Sequence, residues 1–240
     1  MRILDNHCLF GRWPKDSRDV SLEQLLAVMK RLGIERGAAA SLRGAFYNHD
    51  AGNAETLAVC ARNRCLVPAA TINPKQYHGR GSLPAKLARQ GFRLLRFFPA
   101  LQGWTPRDVV FERILGECAK ARLPVAFPIG KFSDLASLLC RMAPKGCRLV
   151  LSDVYYTSLA ECIEVLRRRP EFFMEVGHTC VPGALETLVR EVGARRLVLG
   201  TNQPLESGLG AIEAIRRSSL SKKDQAAILG GNLAKLLGGI

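Results

Sequence analysis

The residues best able to do acid–base or coordination chemistry are spaced along the chain rather than gathered in one motif. They are Asp5, Asn6 and His7, then Asn73, Arg96, Ser152 and Asp153, Glu175 and His178, and finally Thr201 and Asn202. Each ends or follows a short β-rich run. Asp153 and His178 are expected to be catalytic, because a carboxylate and an imidazole can take and return a proton near neutral pH. Arg96 is expected to hold an anionic group, since its planar fork donates two hydrogen bonds to one carboxylate. Asn202, His7 and Asn73 complete the expected substrate-binding set. Plainer roles compete: a strand-end cap or Arg partner for Asp153, a loop hydrogen bond for His178, and a buried ion pair for Arg96.

Cys8 stands beside His7, which raises the question of a thiol nucleophile. Adjacent residues of a strand point to opposite faces, so the two should not pair, and Ser152 with Asp153 fails the same test. The chain has eight cysteines and no C-x-x-C pair, and Cys60 and Cys65 lack a second pair to complete a zinc finger. Reduced, mostly buried thiols are expected. His7, Cys8, Asp153, His178 and Cys180 would bind zinc only if they converged. No cofactor is expected, with zinc as the lesser alternative.

These residues need a scaffold that brings strand ends together. Runs with strand character begin near Arg2, Glu35, Cys65, Phe92, Leu123, Cys147, Glu171 and Arg195. Steps of roughly 24 to 33 residues separate them, enough for a strand, a helix and two loops. Ser21 to Gln24 reads as a capping box before the apolar face of Leu22, Leu25, Leu26, Met29 and Leu32. Thr105-Pro106 reads as a helix N-cap and first position. Leu185, Leu188, Val189 and Val192 mark a helix that Gly193 ends. Ser221 opens a last one. Leu149-Val150-Leu151 and Leu197-Val198-Leu199 are apolar without alternation, as in parallel strands buried on both faces. The expected fold is therefore a single-domain (β/α)8 TIM barrel over residues 1–240. The open doubly wound alternative lacks its Gly-rich turn after the first strand. In such barrels active sites lie at the C-terminal ends of the strands.

Of the 240 residues, 35 are Lys or Arg and 21 Asp or Glu, a formal charge of +14. That balance attracts anions. Some of it sits where it complements helix dipoles, as at Arg167, Arg168 and Arg169, and at Arg216 and Arg217. No aromatic-interleaved basic stripe occurs, so nucleic-acid binding is not expected. No apolar run approaches the roughly 18 residues of a membrane span. The first ten residues are too polar for a signal-peptide core. A cytoplasmic protein with a small anionic partner and no membrane contact is expected, with a homo-oligomer left open.

The first strand, Ile3-Leu4-Asp5-Asn6-His7-Cys8-Leu9-Phe10-Gly11, is similar to the I-D-x-H-x-H-x-G opening of the amidohydrolase-related (amidohydrolase 2) family. Residues 50–53 with 67–74, and 91–99, resemble its third- and fourth-strand segments. RRLVLGTNQP at 195–204 resembles its R-x-x-F-G-S-D-x-P eighth strand, and residues 227–237 its closing helix. The resemblance spans essentially the whole chain. It implies a TIM-barrel hydrolase or decarboxylase whose metal is held by two His on strand one, a His on strand five and an Asp on strand eight. His7 matches the first ligand, but Leu9, Phe127 and Asn202 stand at the others, and Ser152-Asp153 where strand six commonly has His. Leu and Phe offer no donor, and Asn only a weak neutral one. Relatives in the wider superfamily hydrolyse lactones without a metal. The expectation is a hydrolase or C–C lyase acting on a small anionic substrate without the usual zinc site. A catalytically inactive barrel that binds a small molecule or protein is the alternative.

Overall fold

Parallel strands cannot be joined by tight turns, so each neighbouring pair needs a crossover, and the chain supplies one every time. The computed structural model describes residues 1–79, 81–179 and 181–240. Eight strands follow one another around a single sheet in chain order. They are β1 Leu4–Phe10, β2 Arg36–Ser41, β3 Leu66–Ala70, β4 Leu94–Arg96, β5 Val125–Gly130, β6 Leu149–Val154, β7 Phe173–Glu175 and β8 Leu197–Val198. All seven successive pairs are parallel. The last gap is closed beyond β8: Cys8 bridges Gln203 in parallel, Leu9 N donates to Gln203 O at 2.8 Å, and Gln203 N to His7 O at 3.1 Å. The result is the expected (β/α)8 barrel. Among the described residues no helix is long and apolar enough to cross a membrane.

The missing alternation in the strands has a direct cause. Leu149 and Leu151 join one buried cluster while Val150 joins another, and Leu197 and Leu199 are split from Val198 in the same way. One cluster lies between the sheet and the helices. The other, with Leu4, Ala38, Val67, Leu94, Ala126, Val150 and Val198, fills the barrel. Above that apolar layer the inward positions turn polar, with Arg96 on β4, Ser152 on β6 and Glu175 on β7, all buried.

Phe127 corrects one expectation. It belongs to the outer cluster, packed against Phe97, Trp104 and Phe111. It faces the helices, so it does not occupy a ligand position at the mouth. The β5 residue that reaches the mouth is Pro128, which has no donor atom either.

Local signals held with two changes. The helix Leu22–Leu32 starts on Ser21, whose hydroxyl accepts from Gln24 N, but Ser21 N donates to Asp19 rather than to the Gln24 side chain. The helix expected from Thr105 begins at Val109 behind Asp108. Thr105 instead accepts a long bond from Arg107 N at 3.4 Å. The helix Ala184–Val192 ends at Gly193 as expected. The closing segment opens on Ser221 and carries a π-helical turn at Ala227–Gly231.

Replacing Phe127 with Ala should cost about 3–5 kcal/mol of stability, the usual loss for a buried aromatic, read by urea unfolding. Ligand binding at the mouth should be unchanged, because the ring faces away from it.

Candidate active site at the C-terminal mouth of the barrel

A break in β1 sets the site. Leu4 and Asp5 pair with Arg36 and Gly37, but the next partner of Ala39 is Cys8, so β1 holds one extra residue. Such a bulge interrupts the alternation of side chains. Asn6 and His7 therefore both reach Glu175: Asn6 Nδ2 donates to Glu175 Oε1 at 2.5 Å, and His7 Nδ1 lies 3.8 Å from Glu175 Oε2. Cys8 falls on the other side, in the outer cluster. Burial pushes its thiol well above the ordinary range. The Cys60, Cys147 and Cys162 thiols are likewise pushed up to about 12 by burial. Reactive thiolates need the opposite shift, so these serve packing. Cys180 lies outside the described residues.

Asp5 anchors the same stretch. Its carboxylate accepts from His7 N at 2.9 Å, from Thr201 N at 3.0 Å and from the Thr201 hydroxyl. It ties β1 to the segment after β8.

Arg96 and Glu175 form the floor. Both are 1% exposed, and Arg96 Nη2 donates to Glu175 Oε1 and to Asn6 O, each at 2.8 Å. Burial alone would raise the Glu175 pKa, but the Arg96 guanidinium and His7 hold it well below the usual carboxylate range. Glu175 also needs Gly200, since a Cβ there would lie 2.4 Å from Glu175 Cδ. Arg96 thus takes the ion-pair role that competed with anion binding. Its Nε has no hydrogen-bond partner among the described residues, and Nη1 makes only a 3.5 Å contact with Ser152 Oγ.

Asp153, next to last in β6, has φ 52°, and Asn202, after β8, has φ 55°. This left-handed region costs most side chains energy but suits Asn and Asp. Asp153 Oδ1 lies 3.4 Å from His7 Nδ1 and 3.8 Å from His178 Nδ1. The other nitrogen of His178, Nε2, is 2.7 Å from Glu206 Oε2, and Asn202 Nδ2 donates to Glu206 Oε1 at 2.8 Å. Tyr155 packs against the His178 ring with centroids 5.0 Å apart. Burial works against protonated His178, but the Glu206 hydrogen bond and the nearby Asp153 and Glu175 carboxylates outweigh it, so its pKa is raised. His7 is raised too: burial and Arg96 oppose the proton, and Asp153 and Glu175 prevail.

A cavity of about 170 Å³ opens above this cluster. His7, Arg96, Asp153 and Asn202 form its polar end, with Leu9, Trp13, Phe98, Leu101, Pro128 and Leu205 among its apolar walls. Four expected site residues therefore converge, and His178 joins them through Asp153. Asn73 does not. Its side chain caps the short turn Pro74–Gln76 by accepting from Lys75 N at 3.1 Å, and it is absent from the cavity wall. Sequence reasoning assigned no role to Glu175 or Glu206. Glu175 had a signal, a lone carboxylate in the apolar run Phe172 to Val176 at the same strand-end level as Arg96. Glu206 had none.

The cluster also has the donor set of a metal centre. His7, Asp153 and Glu175 offer one atom each, all within 4.8 Å of one another. His7 Nδ1, Asp153 Oδ1 and Glu175 Oε2 are buried without a hydrogen-bond partner among the described residues. The residues present therefore fit a cation, although not through the ligand positions that the family resemblance implies.

A sequence model of the Amidohydrolase family matches residues 8–239. No curated protein matches the chain. Among solved structures, a probable 2-pyrone-4,6-dicarboxylic acid hydrolase from Acinetobacter baumannii with citric acid bound superposes with TM-score 0.70 at 15% identity, over 99% of this chain and all of that one. The 5-carboxyvanillate decarboxylase from Sphingomonas paucimobilis gives 0.70 at 13% identity, over 98% of each chain. A dihydroxybenzoic acid decarboxylase from a Polaromonas species, with bound manganese and the inhibitor 2-nitroresorcinol, gives 0.70 at 13% identity, over 98% of this chain and 96% of that one. At these identities the likeness is one of fold.

Two outcomes follow from the site. Arg96→Met should destabilise the protein by about 3–5 kcal/mol, because it leaves the Glu175 charge buried and unpaired. Adding Glu175→Gln should restore much of that in urea unfolding. His178 has a folded-state pKa above its ordinary 6.5, so its proton stabilises the fold fully below that value. The contribution is lost as pH rises through the folded pKa. The gap in thermal midpoint between wild type and His178→Asn should be widest in acid and shrink toward alkaline pH.

Proposed function

We propose, on the premise that the chain belongs to the amidohydrolase family, that it is a hydrolase or C–C lyase acting on a small anionic substrate at the barrel mouth. The observation that carries this reading is the convergence of His7, Arg96, Asp153 and Asn202 on a cavity with one polar end and apolar walls, with His178 behind Asp153 at 3.8 Å. At about 170 Å³ the cavity is smaller than the roughly 300–1,000 Å³ of common ligand pockets. That favours a compact, flat substrate, with its ring against Trp13, Phe98 and Leu205.

Arg96 is the group proposed to meet a substrate carboxylate. Its Nη2 is spent on Glu175 and Asn6, which leaves Nε and Nη1 to donate. Asn202, also on the cavity wall, would offer its amide to a second polar group. The formal charge of +14 steers anions toward the protein. His178, which stands behind the cavity wall, is the proposed proton store, exchanging protons with the site through Asp153 and oriented by Glu206. In hydrolysis it would take the proton of the attacking water and return it to the leaving group. In decarboxylation the C–C bond breaks, carbon dioxide leaves, and the carbon that keeps the electron pair is protonated from the imidazolium through Asp153.

Lactones, amides and aromatic carboxylates should be assayed with purified protein. Turnover of one class is expected, with kcat reduced about 10²–10⁴-fold in His178→Ala and in Asp153→Asn, the range typical of a lost general acid–base. Turnover indifferent to both changes would remove these residues from the reaction. Saturable binding without turnover would make the barrel a binding protein.

A further inference from the structure

We propose that His7 Nδ1, Asp153 Oδ1 and Glu175 Oε2 together bind one divalent transition-metal ion, with a ligand set drawn from β1, β6 and β7. The family resemblance implies ligands on strands one, five and eight, and those positions carry Leu9, a β5 without a donor, and Asn202. The cluster described here bypasses them and keeps only His7 in common.

Distance is the first argument. His7 Nδ1 is 3.4 Å from Asp153 Oδ1 and 3.8 Å from Glu175 Oε2, and all three atoms fall within 4.8 Å of one another. At those separations the three atoms make no hydrogen bond of good geometry with one another. Ligands bonded at about 2.0–2.1 Å around a tetrahedral ion stand about 3.3 Å apart, so His7 already lies near ligand spacing from both carboxylates.

The second argument is how each ligand is aimed. Glu175 has its Oε1 held by Arg96 and Asn6, which leaves Oε2 free to face the cluster. Asp153 is turned by its left-handed backbone, and His7 by the extra residue in β1. All three donor atoms are buried and lack hydrogen-bond partners among the described residues. One half of a side chain anchored and the other presented is how outer-shell contacts orient metal ligands. Two carboxylates and one imidazole suit manganese, iron, cobalt or zinc better than softer or purely oxygen-seeking ions. Three protein ligands leave open positions toward the cavity. A bound ion there would supply Lewis acidity to a substrate oxygen. His178, held by Glu206, stays outside the ligand set.

The inference shares its cavity with the hydrolase-or-lyase reading but not its premise, so it is tested without substrate. Protein stripped with a chelator would be titrated with Mn²⁺ and with Zn²⁺ by calorimetry, with the electron paramagnetic resonance of bound Mn²⁺ as a second readout. One ion per chain is expected, with affinity at least tenfold weaker in Asp153→Asn and in His7→Gln. Asp153 is partly exposed, so its variant should fold, and circular dichroism checks both. Wild-type protein that binds neither ion saturably, or folded variants that bind as tightly as wild type, would overturn the site. An inactive protein that takes up one ion through these residues would still support it.

Discussion

The Arg96–Glu175 ion pair is the constraint on which the mouth of this barrel depends. Two charges lie in the layer directly above an apolar barrel interior, both 1% exposed. Neither could be there alone, because an unpaired charge in such surroundings costs several kcal/mol. Together they neutralise each other, and Arg96 takes a second partner in the Asn6 carbonyl. Replacing both with apolar residues could leave the barrel as stable or more so. What the pair provides is position: it holds β1, β4 and β7 in one polar layer and leaves one oxygen of Glu175 facing His7.

The rest of the site follows from that placement. His7 is drawn to Glu175 and Asp153, Asp153 to His178, and His178 to Glu206. The local balance is opposite to that of the whole chain. A protein with a formal charge of +14 gathers Asp5, Asp153, Glu175 and Glu206 at one end of its barrel. The basic residues act at long range on an approaching anion, while the carboxylates act at contact on the histidines. This is why both imidazoles are raised although burial opposes their protons.

Family membership constrains the barrel more tightly than the residues at its mouth, for a physical reason. A TIM barrel takes its stability from the strand layers and the helix ring, and its chemistry from strand ends. Residues 8–239 keep the first set of requirements. At the strand ends, Asp153 on β6 and Glu175 on β7 stand beside His7 on β1.

The eight-fold alternation, the doubly buried strands and most helix ends were legible in the residues themselves, because periodicity and capping are local properties. Ser21, Gly193 and Ser221 cap helices where they were expected to. The strand ends that bear polar groups were legible too, and His7, Arg96, Asp153 and Asn202 do meet in one cavity. Which way a side chain faces was not. Phe127 points to the helices and Asn73 caps its own turn, since facing depends on strand register and on what the neighbouring strands present. The extra residue in β1 could not be read from Leu4 to Phe10, yet it lets Asn6 and His7 reach the same carboxylate. Sequence determined the barrel and the stock of polar residues at its mouth. Tertiary structure decided that Arg96 and Glu175 pair, because they lie 79 residues apart and only the closing of the sheet brings them within 2.8 Å.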